Sequence, residues 1–396
     1  MKIAINKFLI FISLFFFILT YERTRDETIN GKKMTFRSSF LVDEDTKIDE
    51  RSLTSNNLYD ITILVVNGAT LTITSGRNIS KIISKSSVKT SLQENYDNFQ
   101  ENDDYKYGLT STIVAIGPNT KVFIESATIY VDSDFSNAIM AFNGASVYIK
   151  NSIIITKSDY SKGIVVASEA YVEISSNSTI YTEGIFSPCL EVNKNKGEIY
   201  GSQINLFSER EGSPLINNLG DGSVMILEGS GKSSNSQILI IQGDNEVILH
   251  KCLFTCNGKG INRDNKNENN NINNGGIVLY KSDENYSNVI NLQLFNCNFK
   301  VENEDILDIP MFSCYGTEAD ITLDGTETTF KNTFMKTYNT NSRIDTKIVL
   351  IINKTGFNGE INAEDGTKIY LKIEQNLLNN YKIEYNENVE LIKVFK

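Results

Sequence analysis

The chain has 396 residues, is 40% apolar and carries 21 Phe and 18 Tyr, enough to bury a core in one to three domains. Its net charge of -11 argues against nucleic acid or an anionic membrane surface as partner, since both reward clustered Lys and Arg. It has no Trp and one His, so a sugar platform built on indoles is excluded, although Tyr and Phe remain.

Residues 1–21 read as a secretory signal. Lys2 and Lys7 precede the apolar run Phe8 to Leu19, which is short beside the roughly 20 apolar residues of a membrane span. No small-residue cleavage motif follows; cleavage near Thr20 to Glu22 is the expectation, with an uncleaved N-terminal anchor as the alternative. An extracellular or cell-surface location follows from either. Residues 22–60 carry mixed charge and weak periodicity (RTRDETINGKK, DEDTKIDER) and read as a flexible or capping lead-in.

From Ile61 to the end, runs of β-branched and aromatic residues dominate and no amphipathic helix of useful length occurs. Two polar insertions interrupt them, QENYDNFQENDDYK at 93–106 and the Asn-rich GKGINRDNKNENNNINNG at 258–275. Between them the chain repeats itself. First strands are expected to start at Ile113, Ile139, Ile164, Leu190 and Leu215, with spacings of 26, 25, 26 and 25. Second strands offer inward Ile124, Ile149, Ile174 and Ile199; third strands offer Ile129, Ile154, Ile180 and Ile204. Helical solenoid repeats are longer and need a 3.6 period, and a propeller blade needs four strands. Three short strands in about 25 residues predict an all-β, right-handed parallel β-helix. Each residue then stacks on its equivalent one coil away, about 4.8 Å distant, and a single coil cannot bury its own core. About 13 coils are expected beyond Ile61, a rod roughly 60 Å long.

Certain segments carry a family resemblance: the S-D-[FY]-S corners at Ser133 to Ser136 and Ser158 to Ser161, and GSPLI at Gly212 to Ile216. So do ILIIQGDNEVILHKCLFTC at Ile238 to Cys256, NGGIVLY at Asn274 to Tyr280 and GFNGEINAEDGTKIYLKIEQN at Gly356 to Asn376. Over Ile113 to Val394 the chain resembles the pectin-lyase-like parallel β-helices, and within them the adhesin-like proteins of gut bacteria and anaerobic gut fungi. The resemblance implies the fold and a non-catalytic binding or structural module at the cell surface, with a glycan or another surface component as ligand.

The same fold also carries polysaccharide lyases and hydrolases, the alternative reading. Lyases resembling it use carboxylate-bound Ca²⁺ with an Arg or Lys base, and hydrolases use clustered Asp with G-H-G and R-x-K stretches. Here Asp103-Asp104 lies in the polar insertion, and His250 stands in VILHKC without flanking Gly. Two carboxylates converging on one bond are not evident, so no catalytic residue is assigned.

The candidate binding residues are Asp134, Phe135, Asp159 and Tyr160, where two adjacent coils repeat one acid-aromatic pair. The acids would stack one coil apart. They could share a cation or, the preferred reading, bond their own backbone in Asx-turns. With Phe186, the rings would form a ladder, as corner packing or as a strip for sugars. No metal site or cofactor is assigned. Aligning HKCLF with FNCNF puts Cys252 over Cys297, either as a disulfide or as two stacked thiols; Cys189, Cys256 and Cys314 make up the odd count. Sequons for N-glycosylation occur at Asn78, Asn177, Asn285 and Asn353.

Overall fold

The computed structural model describes residues 23–29, 32–56, 61–85, 110–193, 195–260, 274–281, 289–303, 308–338 and 345–394. The segment 1–21, the insertion 93–106 and Asn285 lie outside the described residues, as do 261–273 of the Asn-rich segment. No helix among the described residues is long and apolar enough to cross a membrane.

The chain winds into a parallel β-solenoid of about 11 turns at about 26 residues per turn, fewer than the 13 expected. Three sheets form its faces, with 14, 13 and 10 strands. We number coils by their first-face strands. Coil 1 is Lys32–Val42, coil 2 Ile61–Val65, coil 3 Ile113–Ile116, coil 4 Ile139–Phe142, coil 5 Ile164–Val166, coil 6 Leu190–Val192, coil 7 Ile216–Gly220 and coil 8 Leu239–Gly243. Coil 1 therefore lies inside the segment read as a lead-in. Its first strand pairs in parallel with coil 2 and antiparallel with Arg23–Ile29, and that hairpin borders the first sheet. At the other end the short helix Gln375–Asn380 stands where a third-face strand would follow Lys368–Glu374.

Alternation sets which side chains enter. In second-face strands such as Ser146–Lys150, residues 147 and 149 are buried while 146, 148 and 150 are not. Inward residues then stack by type. Ile124, Ile149 and Ile174 pair coil to coil, as do Ile129, Ile154 and Ile180. Past coil 5 three expected partners shift. Ile199 stacks on Val172, and Gly201 takes the place over Ile174. Leu206 stacks on Ile180, leaving Ile204 in the preceding turn, and Ile216 rather than Leu215 stacks on Leu190. Ile199 and Ile204 are displaced by two residues, which keeps the side chains of their strands on the same sides of the sheet, and Leu215 is displaced by one.

A second apolar cluster lies apart from the central core. Phe36, Leu64, Val66, Val114, Ile116, Met140, Phe142 and Val165 are buried together on coils 1 to 5 of the first face. One coil further along, the buried Glu191 replaces Val165 in that row, ion-paired to Lys162 and accepting a hydrogen bond from Asn217 at 2.9 Å.

Candidate functional site

The S-D-[FY]-S corner joins the third face to the first, and its geometry is a stack of hydrogen bonds. Phe135, Tyr160 and Phe186 all adopt left-handed φ of 59°, 56° and 54°, which turns the chain sharply. Each donates its backbone N–H one coil onward, to the carbonyls of Asp159, Ile185 and Glu211 at 3.0, 2.8 and 3.0 Å. The second Ser of the corner is a rung of its own. Ser136, Ser161 and Ser187 donate backbone N–H to the hydroxyls of Ser161, Ser187 and Ser213 at 3.2, 2.9 and 2.9 Å. The buried hydroxyls donate in turn, as from Ser161 to the Ser133 carbonyl at 2.7 Å. The repeated serines are thereby structural.

Asp159 does not close an Asx-turn on its own backbone. Its Oδ1 accepts the N–H of Ile185 on the next coil at 2.9 Å, so the carboxylate ties two coils together. Among the described residues no group of three or more His, Cys, Asp or Glu stands together as a cation cage. The rings form the expected ladder: Phe135 on Tyr160 at 4.6 Å and 6°, and Tyr160 on Phe186 at 5.2 Å and 12°. Near-parallel planes at such centroid distances turn ring faces toward each other and only edges outward. Phe135 is buried. The structure thus brings Asp134, Phe135, Asp159 and Tyr160 together at the corner, with Phe135 buried and the other three half-buried.

The open part of the corner lies one residue before it, at the ends of the third-face strands. Ile153–Thr156, Thr179–Thr182, Asn205–Ser208 and Ser230–Ser233 belong to coils 4, 5, 6 and 7 and pair in register. The residues that follow them are Lys157, Glu183, Glu209 and Ser234, one above another. With Arg210 and Asn235 they line a depression of about 430 Å³. Lys157 is ion-paired to Glu183 and lies 5.8 Å from the centre of the Tyr181 ring. Asn235 donates from Nδ2 to the Glu209 carbonyl at 2.6 Å. The side chains of Glu209 and Arg210 make no hydrogen bond or ion pair with the described residues.

Two residues back on the same outward row stand Tyr181 and Phe207. Their centroids are 6.5 Å apart and their planes tilted by 55°, so their faces are not turned to each other. Phe207 is 36% exposed. A second outward row runs along the second face, where Phe123 stacks on Tyr148 at 4.8 Å and 11°, again edge outward. Tyr171 is tilted from Tyr148 by 59° and donates its hydroxyl to Glu173 at 3.3 Å. Sequence reasoning missed the depression because it sought identity between coils, whereas this rung carries Lys, Glu, Glu and Ser.

All five cysteines are buried free thiols. Cys252 and Cys297 do sit on adjacent coils, in the turn between second and third faces. Of the sequons, Asn78 and Asn177 are exposed and Asn353 is half-buried. Comparison with known protein families, with curated proteins and with solved structures returns no match.

Proposed function

We propose that this chain is a secreted or surface-exposed, non-catalytic β-helix of the adhesin-like, pectin-lyase-like kind that binds an extracellular glycan. The observation that supports this reading is the outward third-face row, where tilted, partly open rings run beside carboxylate, guanidinium and amide groups on a rigid ladder. Sugars are held by that combination, with rings against their apolar faces and planar polar groups on their hydroxyls. Hydrogen-bonded coils hold such groups at fixed spacing, so several weak contacts can act together on one polymer. No cofactor or metal is required.

A glycan array with the purified protein tests the reading, followed by calorimetric titration of the best ligand. Saturable binding without released sugar supports it. The alternative, a polysaccharide lyase or hydrolase, draws on Glu183 and Glu209, which stand one coil apart, about 5 Å by strand spacing and within the range of paired glycosidase carboxylates. Glu183 is committed to Lys157 in that arrangement. Reducing or unsaturated ends accumulating from any polysaccharide, and abolished by Glu209→Gln, would establish the enzyme instead.

A further inference from the structure

We infer that the third-face depression is the glycan site itself, and that its ligand is a neutral, extended hexose chain lying along the helix axis. The inference rests on the glycan-binding reading and adds the place, the charge and the direction of the ligand.

Charge comes first. The lining residues Lys157, Glu183, Glu209 and Arg210 carry two positive and two negative formal charges, leaving the depression neutral. The whole chain carries -11, a field that slows the approach of an acidic polymer. Lys157 is neutralised by Glu183 and the Asn235 amide is engaged at both ends, by the Glu209 carbonyl and by Asn257, so the bonding capacity left over belongs to Glu209, Arg210 and Ser234. Glu209 offers acceptors only, and Arg210 offers donors only. A sugar hydroxyl donates and accepts at once and can bridge such a pair, which a carboxylate or an ammonium ligand cannot do.

Shape sets direction. The rungs Lys157, Glu183, Glu209 and Ser234 cover three coil steps, about 14 Å. A chain of sugars laid along the axis meets these rungs successively, each rung about 4.8 Å from the next. Phe207 stands beside Glu209 on the same outward side of its strand, with its face turned away from Tyr181 rather than stacked on it. It is the ring on which a central sugar rests. The second-face pair Phe123 and Tyr148 is different: the two rings stack on each other, which takes up one face of each, and no charged depression lies beside them among the described residues.

The test titrates cellohexaose, laminarihexaose and mannohexaose, with hexagalacturonate as the acidic counterpart, into the full chain. The variants are Phe207→Ala, Glu209→Gln, Arg210→Ala and, on the other face, Phe123→Ala. At least one neutral hexasaccharide binds. Phe207→Ala weakens it roughly tenfold or more, the loss expected for one ring contact, and Glu209→Gln and Arg210→Ala each weaken it measurably. Melting temperatures stay at the parental value, and Phe123→Ala binds as the parent does. Should Phe207→Ala itself lower the melting temperature, the two polar variants Glu209→Gln and Arg210→Ala carry the test. Binding that survives Phe207→Ala and Arg210→Ala but is lost in Phe123→Ala overturns the site while leaving glycan binding intact. Tighter binding of hexagalacturonate than of every neutral chain overturns its neutrality. No binding to any sugar overturns both the site and the proposed function.

Discussion

Cys252 donates its backbone N–H to Sγ of Cys297 on the next coil, at 3.4 Å, and Cys297 donates its own N–H to the Thr326 hydroxyl at 3.3 Å. The same turn holds Ser152 and Ser178, with the Ser152 N–H on the Ser178 hydroxyl at 3.2 Å. Cys297 is therefore a thiol member of a hydroxyl ladder, its sulfur accepting the buried N–H of Cys252, while the Cys252 thiol donates to the carbonyls of Ile226 and His250. Cys297→Ser or Cys297→Thr is expected to fold with nearly parental stability. Cys297→Val removes the acceptor and costs about 1–3 kcal/mol, the usual cost of an orphaned buried donor, read from urea denaturation. Thiol titration of the denatured chain, without reductant, should count five free groups. A count of three would mean that a bridge forms.

Ile149 and Ile174 stack inward on coils 4 and 5, at 1% and 0% exposure. Asp at either place puts a carboxylate among isoleucines with no cation in reach. The expected loss is about 3–5 kcal/mol in chemical denaturation, or no soluble protein. Parental melting of both variants would refute the register.

How much of this was legible varied along the chain. Coils 3 to 5 were, because nearly identical residues stack at a spacing of 25 or 26 and alternation fixes which side faces in. Beyond coil 5 the identity fades. Gly201 sits over Ile174, and its missing side chain is filled by Ile204, whose Cδ1 lies 2.8 Å from where a Cβ would stand. A two-residue slip preserves parity, so Ile199 looked like the partner. Coil 1 was hidden by its short strands Thr46–Asp49 and Ser52–Ser55, which are largely polar on their outer side. At the corner, the sequence signal marked packing residues, because packing demands repetition. The depression beside it demands variety, which a search for repeats passes over.

The Asn-rich excursion begins and ends at one place. Gly275 donates its N–H to the Gly258 carbonyl at 2.8 Å, and Gly260 to Oδ1 of Asn274 at 2.7 Å. Joining Gly260 to Asn274 through two glycines, with 261–273 removed, shortens a loop whose ends already meet. Loop length enters stability only logarithmically, so the change should stay within about 1 kcal/mol. Loss of soluble protein would show that the segment packs on the helix.

The last prediction is an alkaline limit to stability. Burial pushes the thiols of Cys189 and Cys256 from 9.0 up to about 12, and it does the same to the Tyr338 phenol from 10.0. The Cys314 thiol moves upward too, through burial, whereas in the hydrogen-bonded pair the Cys252 thiol moves up and the Cys297 thiol down, so the pair's two shifts oppose each other. A raised pKa means that between about pH 9 and 12 the unfolded chain has released protons that the folded chain still holds. Stability is therefore complete below pH 9 and falls as pH rises through that window. Each fully buried thiol steepens the fall by about 1.4 kcal/mol per pH unit. The lowered carboxylates, Asp49, Glu228 and Glu302, sit at the surface beside hydrogen-bonding and cationic partners and give the acid side only a shallow slope. Urea midpoints at pH 7, 9, 10 and 11 read the limb directly. Cys256→Ala lowers stability everywhere through the cavity it leaves, yet its fall with pH must be shallower than the parent's, because one titrating thiol is gone. Parallel slopes for parent and variant would show that the Cys256 thiol is not held neutral by the fold.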